Sequence, residues 1–236
     1  MLNYIQHMMN NIQHMRKKNQ QKLGKDRSPA YHSPGEEEED FRETIAVRDQ
    51  GNFLDRFSPL FRKSSLLLVL MLGRDYTSKF HVRDLSRSLK YDVSLISKNL
   101  KNLETFGLVT HEEVGNLVFY QANMESVLLK QIKICFTLME LNQAISALGH
   151  LSTNTILYGS CAKGEDTSTS DIDLFIETME KEEVGRILHD FQTLLQRTLS
   201  PVIRTPDETY RMKMQDKNFY ASIQQGIVIK EGGFVF

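Results

Sequence analysis

The sequence predicts an α+β protein made of two folded units, a helical unit that ends in a β-hairpin and an α/β unit that follows it. Three observations lead to this expectation. Apolar residues recur at helical spacing between residues 59 and 106, and two short apolar runs typical of a hairpin follow them. Strand and helix patterns then alternate from Leu151 to the C-terminus. A long amphipathic helix over residues 125–150 connects the two units.

Length and composition are those of a globular protein. The 236 residues leave room for two modest domains, and 40% of them are hydrophobic and 25% charged. The longest apolar run, Leu66 to Leu72, is much too short to span a bilayer, so we expect no membrane partner. The two cysteines, Cys135 and Cys161, fit neither a disulfide framework nor a zinc site, which favours a cytoplasmic location. The apolar helical pattern around Cys135 predicts that this residue lies in the core.

Residues 1–55 differ in kind from the rest of the chain. They contain two Ser-Pro pairs and the acidic run Glu36 to Asp40, with little apolar content to bury. We therefore expect this segment to be disordered or extended. A near-repeat, Ile5 to Met8 and Ile12 to Met15, is compatible with a short pairing helix, but two units are too few to predict a coiled coil.

Residues 56–124 are predicted to form the helical unit. Helices are expected over residues 59–72, 80–89 and 92–106, and the runs 108–111 and 117–120 are expected to pair as a hairpin. Asp92 is placed to cap the third helix, and Gly107 is placed to end it. The apolar residues of that helix recur at helical spacing and are predicted to pack inward: Val93, Ile96, Leu100 and Leu103.

The order of these helices and of the hairpin resembles the winged helix-turn-helix domain of prokaryotic transcription regulators of the ArsR and MarR kind. The resemblance implies that duplex DNA is a partner and that the helix beginning near Asp92 enters the major groove. It places four side chains near bases or phosphates: Ser94, Ser97, Lys98 and Lys101. A net charge of -1 and the acids Glu112 and Glu113 in the hairpin oppose DNA binding, so a purely structural winged helix is the alternative.

The predicted linker helix over residues 125–150 has a broad apolar surface. In winged-helix regulators such a helix often forms a dimer, so a homodimer is one use of this surface. Packing against the following α/β unit is the other, and it would use the same residues.

The α/β unit, residues 151–236, opens with a Gly-Ser pair, Gly159 and Ser160, after an apolar strand. Ten residues later the sequence reads Asp171-Ile172-Asp173. Ile172 belongs to the apolar face of a second strand, so a period of two puts both aspartates on the opposite face. Mg²⁺ prefers oxygen ligands and is often bound by one or two carboxylates together with the phosphates of a substrate. Simple turn and capping roles are the alternative.

This motif resembles the core motif of the DNA polymerase beta superfamily, and its short form resembles the minimal nucleotidyltransferases. The resemblance implies that Gly159 and Ser160 hold the phosphates of a nucleotide, with Lys163 at a position where the family often has arginine. It further implies that Asp171 and Asp173 are the catalytic residues and bind two magnesium ions.

The family usually has a third carboxylate on a later strand, after a proline. In this sequence Ile203 or Arg204 occupies the expected position. Asp207 and Glu208 follow Thr205 in a pattern typical of a helix start, so we expect them to stabilise that start. Losing a general base lowers a rate by about 10²–10⁴. The departure therefore leaves two functions open.

The first function is a nucleotidyltransferase that transfers a nucleoside monophosphate from a nucleoside triphosphate, with ATP expected, to an acceptor hydroxyl. The acceptor is a protein side chain or a small molecule. The second is a DNA-binding transcription regulator whose degenerate nucleotidyltransferase domain only senses a nucleotide. Beyond the aspartates, helices are expected over residues 181–199 and 205–225, and strands over residues 202–204 and 226–232.

Overall fold

A computed structural model describes residues 55–231 and 234–235 of the chain. The segment 1–54, with the predicted disordered or extended stretch and the near-repeat, lies outside the described residues. The α+β class is confirmed. The described part has a hydrophobic core in each predicted unit, and in the second unit apolar residues are buried on both faces of the sheet.

The first unit is a winged helix-turn-helix. Three helices and a small antiparallel sheet of strand order β1-β3-β2 follow one another in the expected sequence. Their bounds are α1 Lys63–Arg74, β1 Phe80–His81, α2 Val82–Leu89, α3 Val93–Thr105, β2 Val109–Val114 and β3 Leu117–Ala122. The first helix therefore begins four residues later than predicted, and residues 80–81 add a short strand to the hairpin instead of starting a helix.

Helix α3 packs inward with most of the residues that its periodicity predicts. Ile96, Leu100 and Leu103 are fully buried. The expectation for Val93 is wrong, because this residue lies in the first turn, beyond the edge of the core, and is 46% exposed. Asn99 is buried instead and donates a hydrogen bond to Ser64 of α1 (2.7 Å). The polar side of α3 therefore faces away from the core.

The ends of α3 lie where the sequence places them. Asp92 is the N-cap residue, although its side chain makes no capping hydrogen bond. Gly107 follows the helix with a φ of +67°, the left-handed conformation that glycine adopts without strain.

Helix α4, Val127–Leu148, contributes to both cores. Its first half places Leu129 and Phe136 against the winged-helix unit, and its second half places Leu141 against the second sheet. Cys135 is exposed, contrary to expectation, because it lies with Met139 on the side of the helix that neither unit covers. Most of the apolar surface of α4 is thus used within the chain, and the homodimer stays a prediction.

The second unit is a five-stranded mixed sheet with helices on both faces. Its strand order is β6-β5-β4-β7-β8; β5 and β6 are parallel and the other neighbours antiparallel. The bounds are β4 Ser152–Tyr158, α5 Gly159–Lys163, β5 Ile172–Thr178, α6 Lys181–Gln192, β6 Leu199–Arg204, α7 Pro206–Gln215, α8 Lys217–Gln224, β7 Ile227–Glu231 and β8 Phe234–Val235.

The two faces of this sheet are covered by different helices. Ile172, Leu174 and Ile176 of β5 are buried on the face that packs against α4 and α6. Phe175 lies on the opposite face, with Ile223 of α8. The side chains of β5 alternate as expected, and the second aspartate shares the face of Phe175.

Two helix predictions of this unit need correction. The helix expected over residues 181–199 ends at Gln192, because the chain turns there to enter β6. The helix expected over residues 205–225 divides at Asp216 into α7 and α8. The start of α7 is as predicted: Thr205 and Glu208 form a capping box.

No helix in the part of the chain that the structure describes is long and apolar enough to cross a membrane.

Candidate functional site

The two aspartates lie at the start of β5. Asp171 immediately precedes the strand and is exposed, whereas Asp173 is its second residue and is half-buried. Ile172 between them is fully buried on the other face. Asp173 pairs with Tyr158, the last residue of β4. The end of β4 and the start of β5 therefore meet at what we call the two-aspartate site, Asp171 and Asp173.

Gly159 follows Tyr158 directly and packs against the second aspartate. It has a φ of +72°, and a Cβ atom at this position would overlap the Asp173 carboxylate. Only glycine combines this conformation with this close approach. The expected Gly-Ser turn is in fact the first turn of the short helix α5. Ser160 is half-buried in this helix, and Lys163, its last residue, is exposed.

The electrostatics of the site favour a cation. Burial raises the pKa of Asp173 above its usual range, and the nearby charge of Asp171 raises it further, while a hydrogen bond with Ser200 acts in the opposite direction. The carboxylates therefore repel each other in a partly desolvated place. A bound cation would offset both unfavourable effects.

Ser200 occupies the β6 position beside Asp173. The parallel register pairs Asp173 with Ser200, whereas Ile203 pairs with Ile176 and Arg204 with Glu177. The expectation that Ile203 or Arg204 stands at the position of the third acid is wrong, because β6 begins at Leu199, three residues earlier than predicted. Three residues along a strand correspond to about 10 Å. A serine hydroxyl thus stands where a third carboxylate is expected.

Neither acid after the proline reaches the two-aspartate site. Glu208 accepts hydrogen bonds from the Thr205 amide (2.9 Å) and from Lys181 Nζ (3.0 Å), at the opposite end of β6. Asp207 lies in the first turn of the same helix, α7. The predicted capping role is confirmed for this helix start. Among the described residues, no group of three His, Cys, Asp or Glu side chains is arranged to hold a metal ion.

The sequence did not predict the buried residues that hold the backbone of Asp171 in place. Cys161 Sγ donates to the backbone oxygen of Asp171 (3.3 Å), and Arg197 Nη1 contacts Cys161 Sγ (3.4 Å). The same guanidinium binds Asp166 Oδ2 (2.7 Å), and Asp166 is fully buried. The polar run in which Asp166 stands gives no local signal of burial, so these contacts could not be predicted from it.

The candidate DNA-contacting residues lie together on the outer side of α3. Ser94, Lys98 and Lys101 are exposed and Ser97 is half-buried. Residues three and four positions apart share one side of a helix, so the four form a single stripe.

Two acids of the winged-helix unit have basic partners. Glu112 of the hairpin forms an ion pair with Lys79, and Glu104 of α3 pairs with His111. These pairs reduce the negative charge that the unit would present to a phosphate backbone. Contact with DNA stays a prediction.

The comparison with protein families matches the second unit. A family model described as "Nucleotidyltransferase domain" matches residues 138–223, a stretch that contains Gly159, Asp171, Asp173 and Ser200. No curated protein matches the sequence.

Several solved structures are similar to parts of the chain. HlyU from Vibrio cholerae is 23% identical, with 39% of this chain and 95% of that chain covered and a TM-score of 0.31. The transcriptional repressor BigR from Xylella fastidiosa is 21% identical, with 41% and 91% covered and a TM-score of 0.31. A proposed nucleotidyltransferase from Sulfolobus solfataricus is 17% identical, with 45% and 89% covered and a TM-score of 0.29.

Proposed function

We propose, from the match of residues 138–223 to the nucleotidyltransferase family model, that the protein transfers a nucleoside monophosphate from a nucleoside triphosphate to an acceptor hydroxyl. ATP is the first candidate for the donor. The acceptor is a protein side chain or a small molecule. A winged helix-turn-helix precedes the domain, and we propose that duplex DNA is its partner.

The observation that carries the proposal is the close packing of Gly159 against the Asp173 carboxylate. This packing brings the backbone at the start of α5 next to the two-aspartate site. Phosphates bound by the backbone amides of α5 would therefore lie beside cations bound by the aspartates. The glycine at φ +72° supports this arrangement because its missing Cβ leaves room for the half-buried carboxylate.

The donor set of the site fits magnesium. Asp171 and Asp173 would hold two Mg²⁺ ions, because hard cations prefer carboxylate oxygens. The charge of the ions would also offset the burial and the repulsion by Asp171 that raise the pKa of Asp173. When bound, magnesium supplies activation of the acceptor hydroxyl and neutralisation of the leaving pyrophosphate.

The protein's own groups would bind and orient the substrate. Ser160 and the backbone amides near it would hold the phosphates, and the exposed Lys163 at the end of α5 would add positive charge. Ser200 hydrogen-bonds Asp173 and would fix the orientation of its carboxylate. An ionised carboxylate at the Ser200 position would be a general base, and a serine hydroxyl is not, so we expect slow turnover.

The same substitution supports a second candidate function, a DNA-binding regulator that senses a nucleotide without turnover. Ser200 in place of an acid is the observation that favours it. Both candidates require that Asp171 and Asp173 bind a metal–nucleotide complex. They differ in whether label from the nucleotide reaches an acceptor.

The decisive experiment is transfer of label from α-labelled ATP with Mg²⁺ and cell extract. We expect label on a protein or a small molecule with the wild type, and none with Asp171→Ala combined with Asp173→Ala. Asp190→Ala, which removes an exposed acid of α6, is the matched control and should transfer as the wild type does. Metal-dependent ATP binding without transfer would favour the sensor, and absence of such binding would exclude both candidates.

DNA binding is tested separately through the stripe on α3. Replacing Lys98 and Lys101 with glutamate should weaken binding to duplex DNA and lower the salt dependence of the affinity, because fewer phosphate contacts release fewer counterions. A wild-type protein without salt-sensitive affinity for duplexes would exclude DNA as the partner.

A further inference from the structure

Five charged side chains are buried together where the two units meet. We call them the junction cluster, and they are contributed by α1, by α4, by the segment between α5 and β5, and by the segment between α6 and β6. Each of these side chains is at most 8% exposed. The members are Arg74, Lys133, Glu140, Asp166 and Arg197.

Arg74 is the contribution of the winged-helix unit to this cluster. It is the last residue of α1, and its Nη2 atom donates to Glu140 Oε1 (2.7 Å) while its Nε atom lies 3.7 Å from Asp166 Oδ2. Its backbone oxygen accepts a hydrogen bond from the Ser168 amide (3.1 Å). Side chain and backbone of one residue thus contact the segment that leads to Asp171.

Arg197 binds the same two acids. Its Nη1 atom donates to Asp166 Oδ2 (2.7 Å) and its Nη2 atom to Glu140 Oε2 (2.8 Å). The two acids are therefore each shared between an arginine of the first unit and an arginine of the second.

Helix α4 supplies further contacts to the same segment. Lys133 Nζ donates to the backbone oxygen of Asp166 (2.7 Å) and lies 4.9 Å from the centre of the Tyr76 ring. Lys130 pairs with Glu165 (3.0 Å), and a Cβ atom on Gly164 would overlap the backbone of Lys130. Residues 164–168 are thus held by α4 and by the end of α1.

The segment so held carries the two-aspartate site at its end. Asp171 follows Asp166 by five residues, and its backbone oxygen accepts from Cys161, which in turn contacts Arg197. Arg197 also stands two residues before β6, the strand on which Ser200 contacts Asp173. A shift of Asp166 would therefore move the groups that place both aspartates.

Within the part of the chain that the structure describes, the three cations of the cluster contact two carboxylates. Burial, with the nearby charge of Arg197, lowers the pKa of Arg74 to about 10. Removing an ion pair from water costs a free energy comparable to the attraction between its two charges. Burial of the cluster is therefore weak evidence that its residues serve stability alone. Without Arg74, two cations would still face two carboxylates, and we expect the chain to fold.

We propose that Arg74 is a positioning residue of the two-aspartate site, acting through Asp166 and the segment 164–171. The winged-helix unit then contributes, through Arg74, to the position of the two aspartates. The inference rests on the proposed function only for the identity of the ligand, a nucleotide. If DNA binding shifts Arg74, the effect of DNA on nucleotide affinity must equal the reverse effect.

The test measures two properties of the full chain for Arg74→Met. One is the affinity for α,β-methylene-ATP with Mg²⁺ by calorimetry, and the other is amide hydrogen exchange of residues 165–171 without ligand. We expect affinity to fall about 10- to 100-fold, as is usual when a residue that orients a metal ligand is lost, and these amides to exchange faster. Arg186→Met, which removes an exposed arginine paired with Glu183, is the matched control and should change neither property.

Arg74→Lys keeps the charge but does not reach both acids, so we expect an intermediate loss of affinity; it replaces the methionine variant if that variant does not fold. Wild-type affinity and wild-type exchange in the Arg74 variants would overturn the proposal. If the wild type itself does not bind the analogue, the proposed function fails. In that case amide hydrogen exchange of residues 165–171 is the only test of the positioning role of Arg74. Faster exchange in the variants would support the role, and unchanged exchange would refute it.

Discussion

Two pairs of acids in this protein differ in whether they form salt bridges within the chain. Glu140 and Asp166 are buried and bound by three cations of the chain itself. Asp171 and Asp173 form no salt bridge with any described residue. Burial raises the pKa of Asp173, and it also raises the pKa of Glu140, to about 7, so the two pairs differ in their ion-pair partners. The first pair has its cationic partners within the chain, whereas we propose that the second pair takes a cation from solution. The difference separates acids that hold the structure together from acids that are available to a ligand.

The largest expected effect is on the first pair. Asp166→Asn should lower the free energy of unfolding by about 3–5 kcal/mol, because buried Lys133 loses its carboxylate partner and the two buried arginines keep only Glu140 in the cluster. Urea unfolding measures this change. Asp171→Asn, at an exposed member of the other pair, is the control and should change stability little. Equal losses in the two variants would remove the distinction between the pairs.

A second expected effect concerns the packing that creates the two-aspartate site. Gly159→Ala should cost about 1–3 kcal/mol, because alanine is strained at positive φ and its Cβ atom would displace the Asp173 carboxylate. Metal-dependent ATP binding should be lost as well. Gly115→Ala is the control, because Gly115 also has a positive φ but has open space around it in the hairpin. This variant should lose stability through backbone strain but keep ATP binding.

The residue at position 200 provides a further test of the difference between the two pairs of acids. Ser200→Asp should add a third acid beside Asp173 and tighten Mg²⁺ binding about tenfold, because the affinity of such sites follows the number of charged ligands. Without metal the variant should be less stable than the wild type, since three carboxylates repel. Calorimetric titration with Mg²⁺ measures the first effect. Unchanged Mg²⁺ affinity would place the metal away from β6.

An exposed ion pair gives the smallest effect. The hydrogen bond and the charge of Glu104 raise the pKa of His111 above its ordinary value of 6.5. This pair therefore contributes stability that is complete below pH 6.5 and is lost as the pH rises through the higher pKa of the folded state. His111→Gln should flatten the decline of unfolding free energy just above pH 6.5. An unchanged slope would show that the pair contributes nothing measurable, as is common for exposed pairs.

The sequence predicted the parts of the site that depend on neighbouring residues. The alternation of β5 placed Ile172 in the core and the two aspartates on the other face, because a period of two is a local property. The capping box at Thr205 was predictable for the same reason, since it involves residues three positions apart.

Contacts between distant segments could not be predicted. Arg74 and Glu140 are 66 residues apart, and Arg197 and Asp166 are 31 apart, so no local pattern marks them. Ser200 was missed because Pro201 follows it, and a proline argues against a strand interior. Strand β6 tolerates Pro201 because it lies at the edge of the sheet.

Whether the two aspartates take a cation from solution is measured by thermal unfolding with and without Mg²⁺ and ATP. The proteins to compare are the wild type and Asp171→Asn combined with Asp173→Asn. If the two aspartates take their cation from solution, the ligands raise the melting temperature of the wild type. The double variant should unfold at the same or a higher temperature than the wild type without ligands, because its mutual repulsion is gone, and should not respond to them. An equal response of both proteins would contradict the claim.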